Sequence, residues 1–204
     1  MEVVVFGEKV KGFIASPIEM FKKVKEEPFG ASFRYFIILA VLYALLNAIV
    51  GTILWHTWWG FMFSAYEKIP GFGVLFQSEV TTALSLFVLF FLFLLGGIFL
   101  GGGIIHLGVL MFGGKRGYIE TVKAVLYADT PSLLLGWIPI VGIFIGLWSF
   151  ILEFFGIKEL QDMSIGRAIA AVLIPMIIIG VIASIVIAAI VFFYVMSSMG
   201  SHGI

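Results

Sequence analysis

Three ionisable residues sit inside otherwise apolar stretches of this chain: His106, Asp129 and Glu153. An ionisable side chain within a bilayer is costly, and it faces a cavity or a partner more often than lipid. Asp129 is the sharpest of the three. It precedes Thr130 and Pro131, and Pro131 has no N–H to donate to the carbonyl of Tyr127, so a helix through this segment opens locally. An acid beside a broken helix is how transporters hold an ion or a proton. Lys123, about a turn and a half earlier, offers the blander alternative of a structural ion pair. Glu153 falls near the cytoplasmic end of its stretch and can reach the interface from there. His106, Asp129 and Glu153 share no spacing that marks a metal site, so neither a metal nor a cofactor is expected. The chain has no nucleophile–base pattern, no paired GxGD and no HExxH, and a non-enzymatic role is expected.

A second constellation is packing chemistry. Gly97-Ile98-Phe99-Leu100-Gly101 is a GxxxG, and Gly108 follows one heptad later. On a helix these three glycines fall within about 40° of one another. Such a strip lets another helix approach closely. Packing within one subunit is the leading expectation, and a homo-oligomer through this glycine face is the second. Gly114-Lys115 does not make a phosphate loop, because Val109 stands where that motif needs glycine.

The elements that position these residues follow from composition. Of 204 residues 62% are hydrophobic and 12% charged, where a soluble domain carries about a quarter charged. Such a chain meets the lipid bilayer with its apolar surface. Its net charge of zero gives a nucleic-acid role no electrostatic basis, and its lack of Cys excludes disulfides and thiolate chemistry. The expected fold is all-α, a bundle of about five transmembrane helices. Residues 1–32 read as a cytoplasmic segment with a short amphipathic helix. Ser16 is its N-cap, Pro17 its first residue and Glu19 the partner in a capping box. Ile18, Phe21 and Val24 share one face, and Pro28 stops the helix. Residues 33–196 form the membrane domain and 197–204 a short external tail.

Within that domain the first span covers 33–55, with Arg34 snorkelling at its start, Asn47 bonding to a neighbouring helix, and Trp55, Trp58 and Trp59 as an aromatic belt. The second lies within 80–111 and the third within 119–136, broken at Pro131. The fourth runs from about 140 to 155. The fifth covers 165–196, interrupted by Pro175. The third and fourth are short enough that a re-entrant hairpin fits as well as two crossings. Lys9, Lys11, Lys22, Lys23, Lys25 and Arg34 precede or open the first span. Lys115, Arg116 and Lys123 lie between the second and third, and Lys158 and Arg167 between the fourth and fifth. Only Lys68 lies on the other side. The expected placement is the cell membrane, N-terminus cytoplasmic and C-terminus outside.

Taken in order, these features resemble the Yip1 domain family of multi-pass membrane proteins, in its prokaryotic branch. Ser16-Pro17 with Phe21 is similar to the entry before the first span. Phe112-Gly113-Gly114-Lys115 followed by Tyr127-Ala128-Asp129-Thr130-Pro131 resembles the family's basic glycine loop and proline-bearing span. Gly156-Ile157-Lys158-Glu159-Leu160, Ser164, Ala168 and Pro175 resemble its last loop and fifth span. The resemblance implies five spans and the same orientation as the charges. Eukaryotic members are linked to vesicle trafficking and prenylated Rab GTPases, but their Asp-Leu-Tyr-Gly-Pro motif is absent here. Two functions follow as expectations. One is a membrane scaffold that binds partners or organises lipid. The other is a small-solute or ion transporter using Asp129 near Pro131.

Overall fold

The computed structural model of the chain describes residues 3–54, 71 and 73–201, and among these all regular structure is helical. In chain order the helices are α1 (Phe6–Ala15), α2 (Pro17–Val24), α3 (Phe29–Ile53), α4 (Glu79–Met111), α5 (Tyr118–Ala128), α6 (Thr130–Leu135), α7 (Val141–Leu160) and α8 (Ile165–Ser201). A 3-10 turn, Gly73–Phe76, precedes α4. Trp55, Trp58, Trp59 and most of the loop that follows lie outside the described residues.

The N-terminal segment holds two helices where the sequence pattern gives one. Phe6, Val10 and Phe13 recur at helical spacing in α1, masked in the sequence by Glu8, Lys9 and Lys11. α2 begins where Ser16-Pro17 places it, but the capping box does not form and no side chain caps the helix. The reason is that Ser16 is also the end of α1. Its N–H closes that helix on the Gly12 carbonyl at 2.8 Å, which leaves it at the corner between two helices. Met20, Phe21 and Val24 are buried, and α2 packs against α7. Ile18 stays exposed. Arg116 grips Glu26 through both carboxylate oxygens (2.9 and 3.1 Å), and Lys25 pairs with Asp162. The hydrogen bond from Arg116 holds Glu26 below the usual carboxylate range.

Four helical stretches are long and apolar enough to cross a membrane: Phe29–Ile53, Glu79–Met111, Val141–Leu160 and Ile165–Tyr194. They correspond to the first, second, fourth and fifth expected spans. The third is split into α5 and α6 at Asp129, so neither piece reaches spanning length. α5 is instead the centre of the bundle. It packs on α3, α4 and α7, and every residue from Thr121 to Ala128 is buried. α4 opens with a true capping box, in which Ser78 Oγ accepts from Thr81 N–H (3.2 Å) and Thr81 Oγ1 from Ser78 N–H (2.9 Å). The corner between α6 and α7 carries Ile140 at φ 68°, a left-handed conformation that β-branched residues rarely adopt.

Two expectations are corrected by these helices. Among the described residues Asn47 bonds to no neighbouring helix; its Nδ2 donates to the Tyr43 carbonyl one turn back in α3 (3.0 Å). Pro175 does not interrupt the last span, because α8 runs unbroken through it. The carbonyl that loses its donor at Pro175 is that of Ala171, four residues earlier. It points at Gly108 of α4, so closely that a Cβ there would collide with it. The proline therefore marks a close helix crossing and not a break. Beyond it, the described side chains of α8 from Met176 to Tyr194 are exposed on all sides of the helix.

Candidate functional site

The break at Asp129 is narrow. Asp129 N–H still bonds the Val125 carbonyl (3.0 Å), and the Asp129 carbonyl accepts from Leu133 N–H (2.8 Å). What Pro131 removes is the donor to Tyr127, and Thr130 supplies it: its Oγ1 donates to the Tyr127 carbonyl at 2.8 Å. The Tyr35 hydroxyl lies 3.1 Å from Thr130 Oγ1. The opened backbone is thus satisfied from within the bundle, as a membrane interior requires. Ser132 then ties α6 to α7, its Oγ donating to Ser149 Oγ (2.8 Å).

Asp129 itself faces a cleft of about 310 Å³ between α4, α5, α7 and α8. Glu153 of α7 lines the same cleft, as do Gly97 and Gly101 of α4. Its rim residues Phe93 and Met176 are exposed on the outside of the bundle. Among the described residues no ion pair or hydrogen bond reaches either carboxylate. Lys123 faces elsewhere: its ammonium donates to the carbonyls of Lys25 (2.9 Å) and Glu27 (2.7 Å) and pairs with Glu120 (3.0 Å). His106 does not join the two acids. Its Nδ1 lies 2.8 Å from Thr121 Oγ1 and its ring meets the Tyr118 ring edge-on, at the seam of α4 and α5.

The glycines divide. A Cβ on Gly108 would strike the Ala171 carbonyl and Pro175, so that position lies against α8. At Gly97 and Gly101 a Cβ would meet nothing within 4 Å among the described residues. The contact with α5 falls instead to Gly102, where a Cβ would lie 3.0 Å from Val122. The reason is rotational: Gly102 is about 100° round the helix from Gly101 and turns toward α5, while the GxxxG face turns to the cleft.

Sequence reasoning missed a polar network beneath the N-terminal helices. Lys9 and Glu27 form an ion pair at 2.6 Å with both side chains only 2% exposed. Glu27 also accepts from Val4 N–H (2.6 Å) and the Tyr127 hydroxyl (2.7 Å). The Lys9 ammonium lies over the rings of Tyr35 and Tyr127, 5.5 and 5.6 Å from their centroids. The helical spacing of Phe6, Val10 and Phe13 was the available signal, since it places Lys9 on the side of α1 that packs inward.

The Yip1 domain family model matches residues 11–187, which takes in α2 to α7 entirely, the second half of α1 and most of α8. No curated protein and no solved structure matches the chain.

Proposed function

The chain belongs to the Yip1 domain family of membrane proteins, and from that premise we propose that it is a non-enzymatic scaffold whose lateral cleft receives a transmembrane helix of another protein. The observation that carries this reading is the open GxxxG face. Among the described residues a Cβ at Gly97 or Gly101 would meet nothing within 4 Å, and both border a cleft whose rim is exposed on the outside of the bundle. Small residues there let a second backbone approach closely. Asp129 and Glu153 give the incoming helix its polar mark. Two carboxylates without a cation favour a segment that carries Lys or Arg at that depth. A second copy fits less well, since its cations lie at helix ends or, at Lys123, are already bonded. Transport is the weaker reading, because His106 stands outside the cleft and most of the remaining lining residues are apolar.

The test uses the chain reconstituted with fluorescent poly-leucine helices bearing either a central Lys or none. Energy transfer is expected to favour the Lys helix by roughly 5- to 30-fold, since intramembrane polar pairs contribute about 1–2 kcal/mol in model peptides. Gly101→Leu is expected to abolish association while leaving the melting temperature unchanged. Equal binding of both helices, or a self-associated chain that Gly101→Leu makes monomeric, would replace the cationic partner with lipid-like or homotypic packing. A proton or ion flux in liposomes that Asp129→Asn removes would favour transport.

The same reading includes five crossings, with α5 and α6 together as the third. Their 18 residues from Tyr118 to Leu135 extend about 27 Å at helical rise, close to the hydrocarbon thickness. With a cytoplasmic N-terminus, this keeps Lys115, Arg116, Lys158 and Arg167 on the cytoplasmic side. The chain lacks Cys, so single cysteines report topology directly. Ser16→Cys is expected to react only with a reagent on the cytoplasmic side, and a cysteine appended after Ile204 only with one outside. Reaction of both from one side means an even number of crossings.

A further inference from the structure

A groove of about 590 Å³ runs between the N-terminal segment and the beginning of α3, separate from the cleft. On α3 its lining advances from Gly30 to Arg34 to Ile38, one step of four residues at a time, so one helix face forms about 12 Å of its length. Its chemistry changes along that line. At the start of α3 it is lined by Pro28, Gly30 and Ala31, followed one turn on by the exposed Arg34. The far part is Ile38, with Val3 and Phe6 opposite, all three exposed. Lys9 also borders the groove, but Glu27 neutralises it at 2.6 Å. Arg34 therefore supplies the net charge, and among the described residues no acidic side chain pairs with it.

We propose that this groove binds one phospholipid with an anionic headgroup. The Arg34 guanidinium holds the phosphate, for which its planar fork of donors is suited. One acyl chain lies along Ile38 and Phe6, where burial of apolar surface rewards it. A zwitterionic headgroup is disfavoured, because its own ammonium would sit beside the uncompensated Arg34. A soluble phosphate would meet the guanidinium but leave the apolar half of the groove unfilled.

Native mass spectrometry of the full chain in detergent tests this, with phosphatidylglycerol, phosphatidylcholine and glycerol 3-phosphate as probes. One phosphatidylglycerol per chain is expected to be retained in preference to phosphatidylcholine, and glycerol 3-phosphate should not displace it. Arg34→Gln is expected to weaken retention roughly fivefold, the size of one basic side chain at an anionic headgroup. Ile38→Trp should weaken it by filling the acyl half, without touching the charge. Both positions are exposed, so the melting temperature should stay unchanged and exclude misfolding. Gly101→Leu should retain the lipid in full, which separates this site from the helix-docking cleft. Equal retention of the two lipids, retention unaffected by Arg34→Gln, or displacement by glycerol 3-phosphate would each overturn the assignment.

Discussion

Gly108→Leu is expected to lower the melting temperature of the purified protein by roughly 6–12 °C, from a loss of about 3 kcal/mol. The effect is large because the obstacle is backbone. A Cβ at residue 108 would overlap the carbonyl oxygen of Ala171 and come within 2.7 Å of the Pro175 ring. Neither can rotate away as a side chain could, so α4 and α8 must separate along their shared contact. Pro175 is part of the same device. Without an N–H at residue 175, the Ala171 oxygen has no helical donor and is free to face the other helix. Gly108 is the residue that can lie against it, where its Cα–H adds a weak hydrogen-bond contact. Gly101→Leu, one heptad away on the same helix, is the control. Its Cβ meets nothing within 4 Å, and its melting temperature should match the parent chain. Equal losses from the two substitutions would mean that the glycine face packs as a unit and that the cleft is closed in the protein.

That difference shows where sequence reasoning reaches its limit. The long apolar runs located α3, α4, α7 and α8, since length and composition alone decide them. Pro131 located the split between α5 and α6, because a missing donor has a local consequence. Pro175 is the same residue type with the opposite outcome: the freed carbonyl is covered by α4, and the helix runs on. Nothing local distinguishes the two prolines; the neighbouring helix does. Likewise Gly97, Gly101 and Gly108 share a face by periodicity, but which of them is covered depends on where α8 crosses and leaves. Asp129 and Glu153 could be chosen as intramembrane acids, while their meeting in one cleft needs the packing of α5 on α7. Lys9 and Glu27 were missed for a different reason. In a segment rich in Lys and Glu they look like solvated charges; the spacing of Phe6, Val10 and Phe13 turns Lys9 inward, but its pairing with Glu27 needs the burial of α1 against α6 and the tyrosines.

Glu27→Gln is expected to cost about 3–5 kcal/mol, the effect of stranding one member of a buried ion pair. Glu27 joins three elements: its carboxylate meets Lys9 of α1, the Val4 N–H ahead of it and the Tyr127 hydroxyl of α5. A glutamine keeps the shape but only one acceptor oxygen: with that oxygen on the Val4 N–H, its NH2 faces Lys9 and Tyr127. The Tyr127 hydroxyl can still donate to Ser32 Oγ (2.9 Å), so the loss falls mainly on Lys9, left as a charge between two tyrosine rings. Those rings offset part of it, since a desolvated cation over an aromatic face gains about 2 kcal/mol. Lys9→Met in the same chain removes the stranded charge with little change in volume. The double variant is therefore expected to recover most of the stability lost by Glu27→Gln. Tyr127→Phe removes a single hydroxyl donor and should cost only about 1–2 kcal/mol. The measurement is thermal unfolding of each variant in the same detergent, together with limited proteolysis between α1 and α2. If the pair fastens the N-terminal helices to the bundle, Glu27→Gln exposes the corner at Ser16 to protease and the double variant protects it again. Additive losses in the double variant would show that Lys9 and Glu27 stabilise the bundle separately, and that the network does not act as a clasp.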